Sequence, residues 1–123
     1  MTQSGKAGGI SIHAVDVSRG VPAGGLGVRL RRIEPDPCQL AVGTCSSNGH
    51  LDHPVANGTG VERGHYEVEF NVGEFFRDAG IALPEPAFVD VAVFRFGIGN
   101  VNEHFHLPFK FTPWGFSLFR GGA

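Results

Sequence analysis

The sequence predicts an all-β protein, a sandwich or barrel of about seven or eight short strands with one short helix. Three observations carry this. Short segments alternate apolar and polar residues with period two. They are punctuated by 19 glycines and 8 prolines. Phenylalanine is abundant at 11, against one Tyr and one Trp, and aromatic residues favour strands.

The elements follow in order. In "ISIHAVDV", residues 10–17, Ile10, Ile12, Ala14 and Asp16 share one face and Ser11, His13, Val15 and Val17 the other. "SRGVPAGG" is a turn signal. "LGVRLRRI", 26–33, alternates as a half-buried strand should, and "EPDP" ends it because proline removes ladder donors. "QLAVGTC", 39–45, is a third strand. A long polar loop then carries His50, Asp52 and His53, the last two expected to be solvated.

"HYEVEFNV", 65–72, gives the clearest alternation, with Tyr66, Val68, Phe70 and Val72 on one face. "GEFFRDAG", 73–80, reads as a short helix stopped by Gly80, a residue favoured just past a helix end. "LPEPAF" is a connection, "VDVAVFRFGI" (89–98) another strand, and "HFHLPFKF" and "PWGFSLF" the last two. Residues 1–9 are expected to be a flexible N-terminus and 10–123 a single domain.

Composition narrows the function. Apolar residues make up 41% of the 123-residue chain, which fits a folded core. The formal charge of −2, without a basic stripe, excludes a nucleic-acid footprint. Arg29, Arg31 and Arg32 read as the solvated face and end of a strand. No stretch is long and apolar enough for a signal peptide or a membrane helix, so a cytoplasmic protein without membrane association is expected. Cys38 and Cys45 match no metal or redox spacing and are expected to be packing residues.

The chemistry-bearing candidates are histidines. His104 and His106 lie two apart in a strand, so both side chains leave one face and Phe105 the other. Such a pair suits acid–base work near neutral pH. It could also bind zinc if His13 and His50 converge on it. Packing or surface histidines would look the same in sequence. Ser11 and Ser117 have no local partner that would mark a nucleophile.

The order of these motifs resembles the transthyretin-like family. "SIHAVDVSRGVPAGGLGVRL", "YEVEFNVGEFFRDAG" and "FGIGNVNEHFHLPFKFTPWGFSLFRGG" resemble its opening, its strand-plus-helix and its closing strands, from about Ile10 to Gly122. The resemblance implies a two-sheet transthyretin-like (prealbumin) β-sandwich of eight strands and one short helix. It also implies a homotetramer, a dimer of dimers, with sites in a channel between dimers. The bacterial branch is 5-hydroxyisourate hydrolase, which opens a ring by hydrolysing an amide and needs no cofactor or metal.

Carried over by position, the family's first-strand His is His13, the second His of its HxHxP motif is His106, and its tail Arg is Arg120. Other positions depart from the pattern. The catalytic Arg of its loop is replaced by His50, and its YRGS tail reads Phe119, Arg120, Gly121, Gly122. Trp114 and Phe116 stand where the family has a tyrosine-rich segment. His lacks the planar guanidinium fork, and the Tyr and Ser changes remove hydroxyls.

The expectation is therefore a divergent enzyme. His13 and His106 would be catalytic. His50, His104, Trp114, Phe116, Phe119, Arg120 and Gly122 would bind a small cyclic substrate less polar than 5-hydroxyisourate. Ring opening, closure or isomerisation would fit, with secondary metabolism as the setting. The alternatives are an authentic 5-hydroxyisourate hydrolase of urate degradation and a non-enzymatic carrier of an apolar ligand.

Overall fold

In the computed structural model, which describes residues 8–122, two four-stranded sheets face each other across a phenylalanine-rich core. The elements are β1 (Ile10–Asp16), β2 (Val21–Pro22), β3 (Gly27–Glu34), β4 (Cys38–Thr44), β5 (Gly64–Asn71), α1 (Val72–Asp78), β6 (Val91–Ile98), β7 (Phe105–Thr112) and β8 (Gly115–Leu118). One sheet has the order β2-β1-β7-β8 and the other β4-β3-β5-β6. The two-sheet sandwich with one short helix is the architecture expected. The two-residue β2 lies inside the segment read as a turn.

The alternation translates directly into burial. Ile10, Ile12 and Ala14 of β1 point inward, as do Phe105, Leu107, Phe109 and Phe111 of β7. Tyr66, Val68 and Phe70 of β5 meet them from the other sheet. Phe70 and Phe109 stack between sheets with ring centroids 3.9 Å apart. Each fully buried side chain of this size contributes about 1.5–3 kcal/mol. Truncating Phe109 to Ala would cost about 3–5 kcal/mol.

Helix α1 ends as its sequence suggests. Gly80 takes a positive φ of +79°, and the Ile81 N–H bonds back to the Phe76 carbonyl at 2.9 Å. That is the six-to-one closure of a glycine-terminated helix. Phe75 and Phe76 are thereby turned edge-on to Phe111.

Several local expectations are corrected. Arg32 is not solvated: it lies on the inward side of β3, only 7% exposed, and donates to the carbonyls of Asp36 and Gly60. The two carbonyls accept its hydrogen bonds and the Glu62 carboxylate lies 3.8 Å away, so the inward position is tolerated. Asp16 shares the buried face of β1 as expected, with Ser18 and Arg19 hydrogen-bonded to its carboxylate. Burial works against that charge, but the bonds from Ser18 and Arg19 outweigh it and hold the carboxyl below its ordinary pKa.

His53 is more than a solvated loop residue. Its Nδ1 accepts from the Val55 N–H at 3.0 Å and caps a 3-10 turn, Pro54–Asn57. Cys45 packs in the core, and burial pushes its thiol up to about 11. Cys38 is exposed instead, because β4 is an edge strand. Residues 1–7 of the expected N-terminal segment lie outside the described residues. Gly8 and Gly9 are held by backbone bonds, Gly8 N–H to Val101 and Phe105 N–H to Gly9.

Candidate functional site

The site is built on the one parallel strand pairing among the described residues. β1 and β7 run side by side from Ile10 opposite Phe105 to Asp16 opposite Phe111. Their inward residues fill the core, so their outward residues form a common face: Ser11, His13 and Val15 from β1, and His106, Pro108 and Lys110 from β7. Ser11 lies directly opposite His106 and His13 opposite Pro108. His104 precedes β7 but joins the same face.

Ser11 is where the face is tied together. Its Oγ lies 2.8 Å from His104 Nε2 and 2.7 Å from His106 Nδ1. His104 Nδ1 is 2.6 Å from the Gly8 carbonyl. Local spacing showed no partner for Ser11 because both histidines are more than ninety residues away.

The loop after β4 supplies the fourth imidazole. Gly49 and His50 lie against β1 on its free side: the Ala14 N–H bonds to Gly49 O at 2.9 Å, the Leu51 N–H to Ile12 O at 3.1 Å, and His13 forms a bridge with His50. Gly49 is required here. Its φ is +86°, and a Cβ would sit 2.5 Å from the Ala14 carbonyl oxygen. Asn48 Oδ1 accepts from the His50 N–H and from the Ser46 hydroxyl, which holds the turn. As a result the His50 and His13 rings stack, centroids 4.3 Å apart and 23° from parallel.

His13 Nε2 is 3.0 Å from the Asn48 carbonyl. A carbonyl only accepts, so this nitrogen carries the hydrogen and Nδ1 keeps its lone pair. Among the described residues neither His13 Nδ1 nor His106 Nε2 has a protein partner. Burial holds the His106 pKa below its ordinary value, helped by the neighbouring charges of His104, His13 and His50. His106 is therefore mostly neutral, with a lone pair available, at neutral pH.

The glycine tail has a steric reason. The Gly121 N–H bonds to the His106 carbonyl at 2.7 Å, and a Cβ there would come within 3.0 Å of His106 Cδ2 and 3.1 Å of Pro108 Cδ. Gly121 thus walls the imidazole on one side, a role the sequence did not single out. Arg120 turns away from the imidazoles. Its guanidinium lies 4.2 Å from the Phe105 ring centre and bonds weakly to Glu103 and the His104 carbonyl. A Cβ added at Gly122 would meet nothing within 4 Å.

Two of the aromatic candidates, Trp114 and Phe116, do not join the histidines within one chain. Phe116 pairs opposite Phe111, five positions along β7 from His106, or about 16 Å at strand rise. Trp114 lies beyond, beside Phe88. Trp114, Phe116 and Phe119 are 61%, 46% and 49% exposed, so they are not core residues of this chain. A cleft of about 570 Å³ lies elsewhere, between Glu34, Arg63, His65 and Gly97. Nor do the four histidines converge as a zinc set. Both His104 nitrogens are engaged and His50 stacks on His13, and among the described residues no group of three or more His, Cys, Asp or Glu could hold a metal ion.

The two-sheet sandwich is the architecture that the resemblance implied. Comparison with known proteins agrees. Residues 10–121 match the model described as the HIUase/Transthyretin family. The chain is 41% identical over 118 residues to 5-hydroxyisourate hydrolase 2 of Rhizobium meliloti (strain 1021), covering 94% of this chain and 98% of that protein. Among solved structures it is similar to Klebsiella pneumoniae 5-hydroxyisourate hydrolase, with a TM-score of 0.74 and 31% identity over 92% of this chain and 97% of that one. It also superposes on (S)-allantoin synthase with a TM-score of 0.87 and 31% identity, covering 94% of this chain but 44% of that larger one. The chain belongs to the HIUase/Transthyretin family.

Proposed function

We propose that the chain is a 5-hydroxyisourate-hydrolase-like enzyme that uses His13 and His106 for acid–base chemistry on a small cyclic substrate less polar than 5-hydroxyisourate. One observation carries this reading: two imidazoles on a common face each keep a ring nitrogen free of partners among the described residues. One can take a proton from water as it attacks a ring carbonyl, and the other, protonated, can return a proton to the leaving ring nitrogen. The relatives' names support ring hydrolysis as the reaction class.

Substrate polarity follows from what surrounds the pair. His50 stacks on His13 and offers no bidentate fork. Phe116, Phe119 and Gly122 bring no hydroxyl. A homotetramer, a dimer of dimers, would carry the exposed Trp114, Phe116 and Phe119 of each subunit to a shared channel. We place the enzyme in the cytoplasm. The second reading, 5-hydroxyisourate itself as substrate, is favoured by 41% identity over nearly the whole chain.

The test compares wild type, His106→Ala and His50→Arg on freshly generated 5-hydroxyisourate and on a panel of alkyl- or aryl-substituted cyclic amides. The first reading expects weak turnover of 5-hydroxyisourate and faster turnover of an apolar ring. It also expects His50→Arg to raise kcat/KM for 5-hydroxyisourate about tenfold or more. Strong wild-type turnover of 5-hydroxyisourate selects the second reading. Full activity in His106→Ala sinks both.

A further inference from the structure

We propose that Ser11 is a positioning residue that, anchored by His104, fixes His106 in the tautomer with its hydrogen on Nδ1 and its lone pair on Nε2. The role in turnover rests on the acid–base reading above; the tautomer itself does not.

The argument is one of donors and acceptors. The Gly8 carbonyl can only accept, so His104 Nδ1, 2.6 Å away, carries a hydrogen. A neutral His104 then has its lone pair on Nε2. That nitrogen, 2.8 Å from Ser11 Oγ, must accept. The single hydroxyl hydrogen of Ser11 is therefore spent on His104. His106 Nδ1, 2.7 Å from the same oxygen, must donate to it. The chain of bonds runs from His106 through Ser11 and His104 to the Gly8 carbonyl, every donor matched to one acceptor. The lone pair left on His106 sits on Nε2, which has no partner among the described residues.

The chain can be reversed. If His104 gains a second proton, its Nε2 becomes a donor and the Ser11 hydrogen is freed to turn toward His106 Nδ1. In that arrangement the His106 lone pair faces Ser11, and Nε2 no longer works as a base. A neutral His104 thus holds His106 in its base form. The titratable groups facing this pair are His13 from β1 and His50 from the loop. Lys110 lies further along the same face of β7, and Glu103 and Arg120 pair with each other beside His104.

Ser11 is on the outward face, half-buried, with no role in the core, so its substitution spares the fold. The test uses the full-length protein labelled with nitrogen-15 and long-range proton–nitrogen spectra of the imidazole rings, read at a pH where His104 and His106 are neutral. Wild type and Ser11→Thr are expected to show His106 with a protonated Nδ1 and an unprotonated Nε2. Ser11→Ala is expected to lose that preference. In kinetics with whichever ring substrate is turned over, Ser11→Ala should lower kcat about 10–100-fold with KM nearly unchanged, part of what a placed acid–base group supplies. Ser11→Thr should restore it. A wild-type His106 protonated on Nε2 would overturn the proposal, and so would a Ser11→Ala protein that keeps the Nδ1 hydrogen. If no ring substrate is turned over, the reading of function fails while the spectra still decide the tautomer.

Discussion

On the outer face of the β4-β3-β5-β6 sheet, Glu67 is only 4% exposed and lies between Arg31 and Arg95, at 2.7 and 2.8 Å. On the outer face of the β2-β1-β7-β8 sheet, Ser11 lies between His104 and His106 at similar distances. Both are polar ladders running across paired strands. The first is complete: each carboxylate oxygen is matched by a guanidinium, and the bonds from Arg31 and Arg95 hold the Glu67 pKa below its ordinary value. The second is left open, among the described residues, at His106 Nε2 and His13 Nδ1. A polar network closed within the chain secures the sheet. One that ends in an unused lone pair is equipped to meet something else.

The largest expected effect breaks the open network. His106→Ala should lower kcat by about 10²–10⁴-fold, while urea unfolding changes by only about 0.5–1 kcal/mol, because the ring lies outside the core. A stability loss matching the activity loss would make His106 structural, like Glu67. Next comes the loop that stacks His50 on His13. Gly49→Ala forces a Cβ onto the Ala14 carbonyl at a positive φ. It should cost about 2–4 kcal/mol in the same unfolding measurement.

Glu67→Gln gives the opposite signature to His106→Ala. It should destabilise by about 1–2 kcal/mol, since the two arginines are themselves 44% and 68% exposed, and leave turnover unchanged. Altered turnover would couple the two faces.

The smallest effects are in pH dependence, and they have separate windows. Glu67 has a depressed pKa, so its stabilisation is present above the ordinary glutamate value of 4.5 and is lost as pH falls through the folded value. His106 also has a depressed pKa, but its charged form is the disfavoured one. Its penalty appears as pH falls below the ordinary histidine value of 6.5 and is complete below the folded value. Melting temperature against pH should therefore lose its shallow fall near pH 6 in His106→Ala and part of its steep acid fall in Glu67→Gln. Identical curves in all three proteins would contradict both assignments.

Much of this was legible before any coordinates. Alternation over 10–17 and 65–72 located the core faces of β1 and β5, because burial follows the period of a strand. Gly80 marked the helix stop through its tolerance of positive φ. His13, His50, His104 and His106 were singled out together. Arg32 was misjudged because a charged residue in an alternating strand looks outward until nearby carbonyls are seen to receive it. Cys38 was misjudged because sequence does not say which strand is at an edge. Ser11 was set aside and Gly121 not singled out, since nothing local marks a serine that joins two distant imidazoles or a glycine that packs on one.

The sequence by itself determined the strands, their buried faces and the chemistry available, since these depend on residues a few positions apart. The tertiary structure alone decided which chemistries meet. Parallel pairing of β1 with β7 places Ser11 opposite His106 across 95 residues of chain. The Gly49 turn lays His50 on His13. Hydrogen-bond direction, and with it the nitrogen of His106 that is free to act, exists only once those distant groups are in contact.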